Sequence, residues 1–89
     1  MLASSEATVT LPAGVALHAR PAATFVKTAL RFQSRVMVGS NGKVANGKSI
    51  LDVLALGANG GTDLRLMAEG DDAPAALEAL AGCVSGLVE

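Results

Sequence analysis

Apolar and polar positions change period several times along the chain, and each change marks an element. Residues 6–11, EATVTL, alternate and carry Val and Thr, which predicts a strand. Pro12-Ala13-Gly14 follows as a turn. From Ala19 to Phe32 the apolar residues Ala22, Phe25, Val26, Ala29 and Phe32 recur at helical spacing, with Lys27 and Arg31 turned outward. Residues 34–40, SRVMVGS, return to strand character. Asn41-Gly42 then signals a hairpin, because both residues tolerate positive φ, and 43–46 is the returning strand. Ser49 and Gly57 bracket a short apolar stretch as N-cap and stop of a helix. After the turn Asn59-Gly60-Gly61, residues 62–69 alternate Leu64, Leu66 and Ala68 against Asp63, Arg65 and Met67, as a half-buried strand does. Gly70-Asp71-Asp72 closes that strand and caps a last helix, which tolerates Pro74 in its first turn. Its stripe is Ala73, Ala76, Leu77, Leu80, Val84 and Leu87. The order βαββαβα predicts an α+β fold: a four-stranded antiparallel sheet with three helices on one face.

Composition narrows the function classes. The chain has 89 residues, which suits one domain spanning 1–89. It is 51% hydrophobic and 17% charged, so it has the means to fold. Aromatics are 2% and the net charge is −1, which speaks against nucleic acid as a partner. A single cysteine, Cys83, excludes an internal disulfide, and a single histidine, His18, excludes a multi-histidine metal cluster; no metal site is expected. Cys83 reads as a small core residue. No apolar run is long enough to span a membrane, and the start MLASSEATVT lacks a basic segment followed by an apolar one, so a cytoplasmic protein is expected.

The near-neutral total hides a sorting of charge. Residues 1–48 carry Arg20, Lys27, Arg31, Arg35, Lys43 and Lys48 against Glu6, a balance of +5. Residues 49–89 carry Arg65 against Asp52, Asp63, Glu69, Asp71, Asp72, Glu78 and Glu89, a balance of −6. A fold that keeps these apart offers a positive face to an anion or an acidic partner.

The sole histidine lies in the basic half, within Leu17-His18-Ala19-Arg20-Pro21-Ala22. Pro21 fits the first turn of the helix, where N–H groups lack intrahelical partners, so His18 falls at or beside the N-cap. The free N–H groups of Ala19 and Arg20 would then point outward beside the imidazole, at the positive end of the helix. Such a terminus holds phosphate, and Arg20 adds a planar fork matched to phosphate oxygens. Neutral imidazole is a competent nucleophile toward phosphorus. The bland alternative is a histidine that merely caps a helix near an arginine.

The string LHARPA, with SNG, NGKSI and AEG further on, resembles the HPr family of histidine-containing phosphocarriers in the bacterial sugar phosphotransferase system. The resemblance runs from about Glu6 to Val88. It implies an open-faced β-sandwich. It also implies that His18 accepts a phosphoryl group on Nδ1 from phosphorylated Enzyme I, charged by phosphoenolpyruvate, and passes it to IIA domains of sugar permeases. Arg20 matches the family's active-site arginine. Such a carrier is not an independent enzyme, needs no cofactor and is expected to be a monomer. The chain departs from the usual Gly-Leu-His in having Ala16-Leu17-His18, and the loop from Pro12 looks one or two residues longer than usual. Ala13 and Ala16 also leave that loop without its customary small polar side chain.

Ser49 matches the family's serine that caps the second helix and that an HPr kinase/phosphorylase modifies in many Gram-positive members. Phosphate there would meet a helix N-terminus and would repel an acidic partner; a plain N-cap is the simpler role. Ala23, Lys27, Lys48, Ile50, Leu51 and Leu54 are the candidate docking residues, an apolar centre with a basic rim. Asp52 departs from a position often basic or small in relatives and would weaken docking. Two other readings compete: a nitrogen-branch carrier, and a regulatory HPr-like module acting through Ser49, although the catabolite-repression modules lack the histidine. A decoy also needs exclusion. Residues 42–49, GKVANGKS, fit the nucleotide-binding P-loop pattern, but that pattern must form one continuous loop between a strand and a long helix.

Overall fold

The computed structural model describes residues 4–87. The outer ends of the expected 1–89 domain, residues 1–3 and 88–89, lie outside the described residues. The elements follow the expected order: β1 Ser4–Thr10, α1 Ala19–Ala29, β2 Arg35–Ser40, β3 Lys43–Asn46, α2 Ile50–Ala55, β4 Asp63–Glu69 and α3 Ala73–Ser85. The four strands form one antiparallel sheet in the order β1-β4-β2-β3. Placing β4 between β1 and β2 makes it one of two interior strands, in keeping with the burial of its Leu64, Leu66 and Ala68.

Alternation along the strands sends one set of side chains toward the helices. Val36, Val38, Ala45, Leu64, Leu66 and Ala68 join Phe25, Ala29, Val53, Leu77, Leu80 and Val84 in one core. Helix α3 lies on β1 and β4, α2 lies beside β3, and α1 packs across both helices. The opposite face of the sheet is uncovered and carries polar and charged side chains around the cross-strand pair Met37 and Met67. There Glu6 and Arg65 pair at 3.6 Å, and Thr10 donates to Asp63 at 2.6 Å. The fold is the open-faced sandwich expected.

Several boundaries differ from the periodic reading. Helix α1 stops at Ala29, three residues before Phe32. Leu30, Arg31 and Phe32 tighten instead into turn-type bonds, with Arg31 N–H donating to Thr28 O and Phe32 N–H to Ala29 O. Phe32 still packs against the core, from a turn rather than a helix. β1 begins two residues earlier than expected, and Leu11 leaves the sheet to become buried in the following loop. Leu87 is buried but lies past the end of α3, whose C-cap is Gly86.

Asp72 is the main correction. It holds the N-cap position of α3, but its side chain makes no cap hydrogen bond. The carboxylate reaches back to the α1–β2 loop and accepts from Gln33 N–H and Ser34 N–H, both at 2.9 Å, and from the Ser34 hydroxyl. Those donors hold its pKa below the ordinary 3.8, with the Ser34 hydroxyl the largest cause and the Gln33 N–H next. Gly70, at φ +145°, makes the approach feasible: a Cβ there would stand 2.8 Å from Ser34 Cα. This clasp leaves the acidic run with a structural task.

Candidate functional site

His18 occupies the N-cap of α1 in extended backbone, φ −142° and ψ 172°. The residue is exposed, and its side chain makes no cap hydrogen bond. A histidine serving only as a cap would spend a ring nitrogen on the first turn; this one does not.

The segment leading to His18 is anchored rather than loose. Leu11 N–H donates to Thr62 O, Gly61 N–H to Leu11 O, and Leu17 N–H to Ala58 O, each at 2.9–3.0 Å. Leu11, Val15 and Leu17 are buried, so three side chains pin the loop from inside. Gly60 packs against the Pro12–Val15 turn so closely that a Cβ would meet Gly14 N at 2.5 Å. Beyond the histidine, Ala19 sits at φ +47°, the left-handed region that disfavours a side chain and costs roughly 1 kcal/mol or more in a non-glycine residue. Pro21 is buried in the first turn, where its missing N–H has no structural cost. The ring therefore projects from between a pinned loop and a stiff helical turn.

Among the described residues, no group accepts from the N–H of Ala19 or Arg20. Arg20 is exposed, and no hydrogen bond within the described residues holds its guanidinium. Its carbonyl accepts from Thr24 Oγ1, and its side chain borders a groove of about 480 Å³ between α1 and α3 with Thr28, Arg31 and Cys83. Cys83 is half-buried there, 3.6 Å from Thr28 Oγ1. An exposed imidazole at a helix start with two open N–H groups and an exposed guanidinium has the chemistry to receive a phosphoryl group and hold its negative charge.

Helix α2 starts differently. Ser49, its N-cap, accepts from Asp52 N–H at 3.3 Å, and the Asp52 carboxylate accepts from Asn46 N–H at 3.3 Å. Asp52 thus braces the turn into α2 and borders a small groove against β3 with Lys43, Val44 and Ala45. That is the flank away from α1. Lys48 is half-buried, and its ammonium donates to Phe32 O at 2.6 Å. It tethers the α1–β2 loop and is not a free rim cation. Ile50, Leu51 and Leu54 are exposed, Leu51 to 75%, so the apolar centre expected on α2 is at the surface. Ala23 is half-buried and Lys27 exposed on α1.

The P-loop reading fails on geometry. Gly42 is the hairpin turn, residues 43–46 are β3, and α2 has only six residues. Gly47 is small because a Cβ would stand 2.6 Å from Val36 Cγ1, a packing demand rather than a phosphate cradle.

Sequence reasoning overlooked Leu30. It is 59% exposed at the C-cap of α1, seven residues from Ala23 and three from Lys27, hence on their side of the helix. The signal was present as an apolar residue outside the buried stripe.

Comparison with known proteins bears on family and fold. The family model described as the PTS HPr component phosphorylation site matches residues 3–85. The HPr-like protein Crh of Bacillus subtilis is 47% identical over 68 residues, 76% of this chain and 80% of that one. The phosphocarrier protein HPr of Mycoplasma capricolum is 41% identical over 66 residues, covering 74% of each. Among solved structures, phosphocarrier protein HPr from Bacillus anthracis superposes with a TM-score of 0.87 at 39% identity, covering 92% of this chain and 98% of that one. Bacillus subtilis Crh, described as a swapped, intertwined dimer, superposes at 0.74 with 43% identity over 91% of each chain. No helix among the described residues is long and apolar enough to cross a membrane. With a family model covering nearly the whole chain and a fold that superposes throughout, the chain belongs to the HPr family of phosphocarrier proteins of the phosphotransferase system.

Proposed function

We propose that this chain carries phosphoryl groups on His18 Nδ1, from phosphorylated Enzyme I to the IIA domains of sugar permeases. The observation that supports this most is the exposed His18 ring at a helix start whose N–H groups are unpartnered among the described residues. In the step, the neutral imidazole nitrogen attacks phosphorus, and the bond from phosphorus to the donor histidine breaks. The new phosphohistidine faces the N–H groups of Ala19 and Arg20, and the Arg20 guanidinium offsets its charge. Transfer onward is the same exchange with the acceptor's nucleophile. The partners supply the rest of each reaction site, so the chain is a substrate of its partners and not a catalyst by itself. An open terminus suits this work because both partners must reach the same ring, which calls for brief, fast association. A cytoplasmic monomer is the form proposed, the exchanged dimer of Crh notwithstanding.

Incubation with Enzyme I and labelled phosphoenolpyruvate tests the reading. The label maps to His18 by mass spectrometry and is acid-labile; absence of label overturns it. A nitrogen-branch role differs only in the acceptor and is separated by offering each type of IIA domain.

The likeness to Crh favours a second reading, regulation through Ser49 by an HPr kinase/phosphorylase. Its phosphate would replace the hydroxyl that now accepts from Asp52 N–H, close to the Asp52 carboxylate. ATP-dependent, acid-stable labelling of Ser49 by a competent kinase supports it, and no labelling removes it.

A further inference from the structure

The groove between α1 and α3, about 480 Å³, falls within the size range of small-molecule sites. Arg20, Thr24, Thr28 and Arg31 form its α1 wall, and most of its lining is apolar surface. The hydroxyls of Thr24 and Thr28 donate to Arg20 O and Thr24 O, each at 3.0 Å, so both are satisfied within their own helix. The room comes from the α3 wall of Ala79, Gly82, Cys83 and Gly86. Gly82 stands inside α3, where glycine weakens a helix. A Cβ there would meet nothing within 4 Å, so packing does not demand the glycine, whereas a Cβ at Gly47 or Gly70 would strike Val36 or Ser34. The missing side chain at 82 keeps the groove open.

Charge in the groove is one-sided. Among the described residues, Arg20 and Arg31 are the charged groups that line it, and neither has a carboxylate partner. Arg31 Cζ lies 5.8 Å from the Phe32 ring centroid, which steadies its guanidinium over an aromatic face. Asp72, at the start of α3, is bonded to Ser34 beyond the end of α1, and Cys83 stands at Thr28, so α3 runs back toward the start of α1. Arg31 therefore marks the Ala79 end of the groove and Arg20 the Gly86 end, about 16 Å apart along α1.

We infer that this groove binds a straight-chain amphiphile with an anionic head, of the fatty-acid class, its head on Arg31 and its tail along Gly82 and Cys83 toward Gly86. The shape selects the tail. The groove follows about three turns of α1, which suits a linear chain better than a compact molecule. No aromatic side chain lines it, so a flat ring would have nothing to stack on. The charge selects the head. The Arg31 fork matches a carboxylate through two parallel hydrogen bonds, and its support on Phe32 reduces what binding must order. A cationic amphiphile would meet two like charges and be repelled. Binding here does not depend on His18 carrying a phosphoryl group.

The probe is dodecanoate, titrated calorimetrically into the whole chain below the concentration at which it forms micelles. Cys83, the sole cysteine, reports where it sits. Alkylation of Cys83 by N-ethylmaleimide slows about tenfold when dodecanoate stands at ten times its Kd. Gly82→Leu fills the groove from open space and strengthens the helix, so it abolishes binding while Tm holds or rises. Arg31→Glu weakens binding about tenfold or more. Lys43→Glu, the same charge change on β3, leaves it alone. Butyrate, which lacks the tail, and dodecyltrimethylammonium, which reverses the head, do not bind. No heat from dodecanoate with the wild type overturns the site. Binding without protection of Cys83 overturns it too, since the ligand would then lie elsewhere, as on the exposed apolar residues of α2. Equal losses in Arg31→Glu and Lys43→Glu, or full binding by Gly82→Leu, reduce the effect to unspecific attraction and reject the groove.

Discussion

Helices α1 and α2 begin about thirty residues apart in sequence and treat their first turns in opposite ways. At α2 the start is closed: Ser49 accepts from Asp52 N–H, and Asp52 in turn accepts from Asn46 N–H. At α1 the start is open: His18 makes no cap bond, and the N–H groups of Ala19 and Arg20 have no acceptor among the described residues. An uncapped terminus forgoes about 1 kcal/mol that a serine or aspartate would supply. The protein tolerates this at α1 because the loop before it is pinned by Leu11, Val15 and Leu17 and by backbone bonds to the 58–62 segment. Stability is thus supplied by the approach to the site, and the terminus is left open for the anion that the proposed function assigns to it. At α2 the approach is also tied, by Gly47 N–H to Val36 O and by the Lys48 ammonium to Phe32 O, and there the cap is added to the tether rather than left out.

The largest expected effect tests the open terminus directly. His18→Ala abolishes labelling from phosphoenolpyruvate and Enzyme I, with an unchanged circular dichroism spectrum and Tm, because the side chain is exposed and holds nothing. Residual label at wild-type rate would move the acceptor elsewhere. Next in size, Arg20→Glu lowers kcat/KM for transfer by about a hundredfold, the scale of removing one charge-stabilising group from a transition state. Its fold is retained, since no hydrogen bond within the described residues uses the guanidinium. Unchanged kinetics would leave the N–H groups as the only charge-bearing part of the site.

Much of this was legible from residue pattern. Pro21 in a first turn, with an apolar stripe behind it, fixes where α1 starts and hence where His18 stands. Asn41-Gly42 fixes the β2–β3 hairpin, which removes the P-loop reading. What pattern could not show were contacts that cross the chain. The Lys48 ammonium finds Phe32 O, and the Asp72 carboxylate finds Ser34, only because the sheet order brings distant segments together. Spacing along the sequence carries no trace of either. Leu30 was passed over for a different reason. Helical periodicity identifies the buried face, and an apolar residue outside it looks like noise until its exposure is seen.

Asp72 extends the comparison to a third helix start, one whose cap residue is lent to another segment. Its pKa is lowered in the folded protein, so its contribution to stability is fully present above the ordinary value of 3.8 and is lost as pH falls through the lower, folded value. Asp72→Asn therefore lowers Tm by several degrees at neutral pH, and the gap from the wild type narrows steadily below pH 3.8. Thermal melts at several pH values check this. A gap that stayed constant into strong acid would mean that the carboxylate's charge contributes nothing to the clasp. His18 labelling at neutral pH and permissive temperature is unchanged, because the clasp lies at the far end of α1.

The smallest effect is also the sharpest test of whether the two termini are independent. Ser49→Ala removes the acceptor for Asp52 N–H and costs about 1 kcal/mol, read as a lower denaturant midpoint with an unchanged slope. The loss stays modest because the site is only half-buried, so water can take over the freed N–H, and the Asp52 carboxylate still braces Asn46. Nothing in that change reaches the loop that carries His18, which is tied to residues 58–62 rather than to the start of α2. The labelling rate of His18 in Ser49→Ala therefore equals that of the wild type. A slower rate would mean that closing α2 is part of what keeps α1 open. The contrast between the helix starts would then describe one coupled device, and any phosphate on Ser49 would act on His18 through the fold as well as through charge.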